Sequence, residues 1–152
     1  MSVQDRLAEL GITLPTVPQP LAAYVPAVVV DGWVYTAGQL PLRDGEPLAL
    51  GAVGNAVTPE EAAACARQCA LNAVAAIASV VDLDDVARIV KVTGFVAATP
   101  DFTAHPVVVN GASEFLGSVF GDAGVHARSA LGVASLPLGV PVEVEVIARL
   151  AN

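Results

Sequence analysis

Residues Arg128–Leu150 read RSALGVASLPLGVPVEVEVIARL, two β-favouring segments, Arg128–Leu136 and Val142–Leu150, parted by a turn from Pro137 to Pro141. Side chains along a strand alternate between faces, so in the second segment Val142, Val144 and Val146 share one face and Glu143 and Glu145 the other. In the first segment the same rule groups Arg128 with Ala130 and Gly132. One guanidinium among tiny side chains leaves room for a ligand beside a donor fork whose geometry matches a carboxylate. Two bland alternatives stand beside that reading. The glutamates also fit a solvated strand edge, and Arg128 also fits a structural ion pair with Glu143 or Glu145.

Working outward, Val25–Val30 and Trp33–Ala37 flank Asp31-Gly32, the dipeptide suited to a type I′ hairpin turn. Arg43-Asp44-Gly45 marks a second turn, and the Gly-rich stretch Leu48–Val57 is expected to give a short strand and a loop. Thr58-Pro59-Glu60-Glu61 supplies an N-cap, a proline at the first helical position and a returning glutamate, which predicts a helix from Pro59 to about Val80. Its stripe of small residues suits close packing on a sheet, and Arg67 and Gln68 mark its wetter side. Ala87–Ala98 reads as a strand and Pro106–Phe120, closed by Gly121, as a second long helix. Upstream, Ser2 and Asp5 form a capping pattern for a brief helix ended by Gly11, and Pro15, Pro18 and Pro20 predict an extended tie. The order β-β-(β)-α-β-α-β-β is α+β, with both long helices on one face of a mixed sheet. The other face is rich in aliphatic residues and needs cover, for which neighbouring subunits are the expected source.

With 152 residues the chain suits one domain, 1–152, in which residues 1–20 are an N-terminal extension. Hydrophobic residues make up 55% and charged residues 14%, too little polar surface for a small monomer and a second sign of a buried interface. The least polar run, Cys69–Val81, falls short of the roughly 20 apolar residues a membrane span needs. Met1–Leu10 carries Asp5, Arg6 and Glu9 where a secretory signal needs an apolar core, so the cytoplasm is the expected location. A net charge of −8 with only seven scattered basic residues argues against a nucleic-acid partner. Cys65 and Cys69 lack nearby histidines and read as reduced core residues, not metal ligands. Lys91, the only lysine, is a weak Schiff-base candidate. His105 stands near a helix start, and His126, just before Arg128, is a candidate for the mouth of a cleft.

The run Arg128-Ser129-Ala130-Leu131-Gly132-Val133-Ala134-Ser135-Leu136-Pro137 followed by Pro141-Val142-Glu143-Val144-Glu145 resembles the signature of the Rid/YjgF reactive-intermediate deaminase family. Ala37-Gly38-Gln39-Leu40-Pro41 resembles the family's Ser-Gly-Gln motif, and Tyr24, Asn72 and Lys91-Val92-Thr93 fit as well, so the likeness covers about Tyr24–Leu150. The resemblance implies a chorismate-mutase-like (YjgF-type) α+β subunit and a homotrimeric barrel with sites in clefts between subunits. It implies hydrolysis of small 2-imino or enamine acids, such as 2-iminopropionate and 2-aminoacrylate, to a 2-keto acid and ammonia, with no metal or organic cofactor. Carried over residue by residue, Arg128 anchors the substrate carboxylate and Glu143 orients or deprotonates the attacking water, while Ala37, Gly38, Gln39, Asn110, Ala130 and Tyr24 line the site. Ala37 and Ala130 stand where many relatives carry Ser and Cys or Thr, which also admits a noncatalytic trimeric module that binds small carboxylates. Ribonuclease activity, attributed to some relatives, fits poorly with so acidic a chain.

Overall fold

The computed structural model describes residues 1–17 and 23–152. Helix α1 (Val3–Glu9) is closed at its start by the Ser2–Asp5 capping box and buries Leu7. Pro18 and Pro20 of the expected tie lie outside the described residues. The first hairpin joins β1 (Ala27–Val30) to β2 (Trp33–Thr36), and Asp31 and Gly32 take φ of 50° and 78°, the paired left-handed conformation of a type I′ turn.

One expectation is corrected here. No strand forms across Leu48–Val57, where the backbone makes only isolated bridges at Val53. The small ladder falls earlier, as β3 (Leu42–Arg43) against β4 (Glu46–Pro47), around the Asp44-Gly45 turn. Asp44 and Gly45 both adopt positive φ and force immediate reversal, so two-residue strands form directly beside them.

Helix α2 (Pro59–Ala78) begins at Thr58 with the full capping box to Glu61 and buries Ala62, Ala66, Ala70, Ala73, Val74 and Ile77. Gln68 also is buried, contrary to its expected place on the wet side. Its Oε1 accepts hydrogen bonds from the Arg43 Nε and Nη2, and its Nε2 donates to Asn72, so the amide is satisfied without water. Strand β5 (Val86–Ala97) leads into α3 (His105–Phe120), then the edge strand β6 (Ala127–Val133) and β7 (Val142–Leu150).

These strands form one mixed sheet in the order β1-β2-β7-β5-β6, in which β5 and β6 are parallel and the other neighbours antiparallel. Helices α2 and α3 cover one face, burying Val34, Val92, Val96, Val142, Val144, Val146 and Ala148 beneath them. The opposite face carries Val28, Val30, Trp33, Tyr35 and Leu131 with more than a third of each side chain exposed. Among the described residues, no helix is long and apolar enough to cross a membrane.

The two long helices meet at Gly111, where a β-carbon would collide with the Ala63 carbonyl of α2. A clash with backbone finds no relief in a rotamer change, so overpacking costs about 3 kcal/mol, the upper end of its usual range. Alanine returns only about 1 kcal/mol through its better helix propensity. Gly111→Ala is therefore expected to destabilise the protein by about 2 kcal/mol in a urea titration. An increase in stability would show that this helix contact is looser than described.

Candidate functional site

Strand register decides how the candidate residues relate. Directly paired residues point to the same side of a sheet, and Arg128 pairs with Val92, Ala130 with Gly94, both on the helix-covered face. Glu143 pairs with Phe95 and Glu145 with Thr93, on the uncovered face. Arg128 and Glu143 thus lie on opposite faces. They are separated by two strand spacings, about 10 Å, and by about 10 Å more along the strands. The ion pair considered for Arg128 with either glutamate is not formed within the chain, and one small substrate cannot touch Arg128 and Glu143 of the same chain.

Around Arg128 the edge strand and α3 form one cluster. Arg128 Nη1 donates to Asn110 Oδ1 at 2.7 Å and to Ser113 Oγ at 3.3 Å. Asn110 and Ser113 share a face of α3 because residues three apart nearly superpose along a helix. Ser113 Oγ is 2.9 Å from His126 Nε2, and His126 Nδ1 is 2.6 Å from the Gly124 carbonyl oxygen. Ala130 packs against the core beside this group. Farther along, the room left by Gly132 is taken by His105, whose Nε2 lies 2.6 Å from where a β-carbon would stand. His105 meets Phe102 edge-on, with ring centroids 5.5 Å apart.

A second cluster lies across the sheet. Gln39 exchanges backbone hydrogen bonds with Val144, which brings the loop after β2 against β7, and the Gln39 amide donates to the Ala37 carbonyl oxygen. Gly38 lies so close to Glu143 that a β-carbon there would be 2.8 Å from the carboxyl carbon. Tyr24, Gly38 and Gln39 line a cavity of about 390 Å³, floored in part by Asn72 of α2. Asn72 is held in place by donating to the Leu40 and Leu42 carbonyl oxygens. Burial, and secondarily the like charge of Glu145, push the Glu143 carboxyl above the ordinary carboxylate range. Such a carboxylate accepts a proton more readily than a solvated one.

The structure therefore brings Asn110 and Ala130 to Arg128, and Tyr24, Gly38 and Gln39 to one cavity, with Gly38 also against Glu143, as two separate groups. Ser113 is the residue that sequence reasoning missed, and its spacing of three from Asn110 was the available signal. Lys91 lies mid-strand between Ala127 and Ile147, away from both groups. Burial, and to a lesser degree Glu61, push the Cys65 thiol up to about 11, and deeper burial raises Cys69 as well. Both are neutral core thiols, unsuited to nucleophilic work.

Residues 15–150 match the family model described as endoribonuclease L-PSP, the YjgF/Rid family. The chain belongs to this family. It is 43% identical to Protein TCP17 of Trypanosoma cruzi, covering 99% of this chain and 95% of that protein. It is 32% identical to a 2-iminobutanoate/2-iminopropanoate deaminase of Dermatophagoides farinae, covering 90% of this chain and 92% of the other. Among solved structures, Atu1372 of Agrobacterium tumefaciens, a protein of unknown function, superposes with a TM-score of 0.91 at 38% identity, covering 98% of this chain and 92% of that one.

Proposed function

We propose that this L-PSP family member hydrolyses small 2-imino or enamine acids to a 2-keto acid and ammonia, in a homotrimer whose sites lie between subunits. One observation carries the reading: the Arg128 guanidinium is held by two neutral acceptors, Asn110 and Ser113, while Glu143 and Glu145 face the other side of the sheet. An arginine positioned by neutral groups keeps its charge for an anion, and its planar fork suits a carboxylate. The relation to a 2-iminobutanoate/2-iminopropanoate deaminase supports the choice of an imine.

In this mechanism Arg128 of one subunit grips the carboxylate, and Glu143 beside Gly38 belongs to a neighbour. Glu143 takes a proton from water as the oxygen bonds to the imine carbon, giving a carbinolamine. It then returns the proton to nitrogen, the C–N bond breaks as the hydroxyl becomes the carbonyl, and the departing ammonia takes the hydroxyl proton to leave as ammonium. The balance is R–C(=NH2⁺)–COO⁻ plus water to R–CO–COO⁻ plus ammonium. General-base help of this kind contributes about 10² to 10⁴ in rate. A trimer would also cover the apolar face of Trp33, Tyr35 and Leu131 and give the bare edge of β6 a partner.

The purified protein is expected to speed ammonia release from 2-aminoacrylate generated in situ, in proportion to enzyme concentration. Equal rates with and without the protein would sink the proposal. The side chains missing at Ala37 and Ala130 favour one other reading, a noncatalytic module that binds small carboxylates. Calorimetry separates the two, since that module predicts heat of binding with pyruvate, 2-oxobutyrate or benzoate but no turnover. The net charge of −8 speaks against RNA as the substrate.

A further inference from the structure

The geometry points to Ser113 and His126 as positioning residues that aim Arg128, so that the guanidinium takes its carboxylate through the Nε–Nη2 edge. This inference rests on the carboxylate-binding role proposed for Arg128. Hydrogen-bond direction can be followed outward from one fixed acceptor. The Gly124 carbonyl oxygen, 2.6 Å from His126 Nδ1, can only accept, so Nδ1 carries a hydrogen. In the neutral ring Nε2 then presents a lone pair, and the Ser113 hydroxyl, 2.9 Å away, must donate to it. Its hydrogen spent, Ser113 Oγ offers its lone pairs to Arg128 Nη1. The opposite tautomer would set the Nδ1 lone pair against the carbonyl oxygen. A protonated ring would aim two cationic donors at one hydroxyl.

Nη1 has two hydrogens, and Asn110 and Ser113 use both. Among the described residues the structure gives Nε and Nη2 of Arg128 no acceptor. Those two nitrogens form one straight edge with parallel hydrogens, the arrangement that binds both oxygens of a carboxylate at once. Ser113 acts in this scheme through Arg128, whose Nη1 it receives on an oxygen lone pair. The pair Ser113–His126 fixes which edge of the guanidinium faces the ligand.

The first arm of the test needs no substrate. Nitrogen-15 NMR of the full-length protein near about pH 8.5, where imidazole is neutral, is expected to show His126 with Nδ1 protonated and Nε2 bare. An Nε2-protonated ring reverses the relay and overturns the inference, whatever the protein's activity. The second arm is kinetic. Ser113→Ala is expected to raise KM for the imine about tenfold with kcat within about twofold, the size expected for one hydrogen bond to a charged group. Ser113→Thr, which keeps the hydroxyl, is expected to restore KM. An unchanged KM in Ser113→Ala, in a wild type that turns over, defeats the positioning role but not the proposed activity. Absence of turnover in the wild type defeats the proposed activity, and the tautomer then decides the relay alone.

Discussion

Arg128→Ala is expected to lower kcat/KM for 2-aminoacrylate-derived imine by about 10²- to 10³-fold, because one charge-assisted, two-pronged contact to the substrate carboxylate disappears. The loss is expected mainly in KM, since the carboxylate is gripped in the ground state and the transition state alike. Arg128→Lys keeps the charge but not the fork, and its ammonium cannot donate to Asn110, Ser113 and both carboxylate oxygens together. It is expected to recover only part of the loss. Folding should be little affected, because Arg128 is half-buried on an edge strand and its two partners are neutral. Steady-state kinetics with thermal melts of each variant check both statements. An Arg128→Ala enzyme with wild-type kcat/KM would remove the carboxylate anchor from the scheme.

Glu143→Gln is expected to act in the other kinetic constant, lowering kcat by about 10²- to 10⁴-fold as the general base is lost. The same variant is expected to be more stable than the wild type at neutral pH. The folded carboxyl binds its proton more tightly than the unfolded one, whose value is near 4.5, through burial and then through Glu145. Below the unfolded value both states are protonated, and the wild type carries no penalty. As pH rises from there through the raised folded value, ionisation inside the fold costs stability, and above it the whole cost is present. The melting temperature of Glu143→Gln should therefore exceed that of the wild type at pH 7, and the gap should close on acidification toward the unfolded value. A gap of the opposite sign at pH 7 would mean that the assembled protein compensates the Glu143 charge.

Much of this arrangement was legible in the sequence because it rests on local rules. The Asp31-Gly32 turn, the Thr58–Glu61 capping box and the alternation along Val142–Leu150 each depend on residues within a few positions of one another, and each element formed where those residues stand. Alternation also grouped Glu143 with Glu145 and Arg128 with Ala130. It was silent on whether the two groups share a side, since β5 lies between β6 and β7 and cross-strand register is a tertiary property. The β3–β4 ladder has two residues per strand, too few for periodicity to register. Gln68 looked wet because glutamine usually is, and only the approach of Arg43 from a distant turn makes its burial tolerable. Ser113 drew no notice because its spacing of three from Asn110 is a weak signal by itself, and only the fold brings His126 beside it from thirteen residues away.

The central claim is that each site joins Arg128 of one subunit to Glu143 of another, and subunit mixing tests it most directly. Arg128→Ala and Glu143→Gln chains, each inactive alone, would be co-expressed in equal amounts with different tags, and the doubly tagged assemblies assayed. A doubly tagged ring of three, whichever chain is present twice, pairs an intact Arg128 with an intact Glu143 at one of its three interfaces, so about a third of wild-type activity should return. Mixed assemblies as inactive as either parent would contradict the account, since they would place both residues of a working site in a single chain.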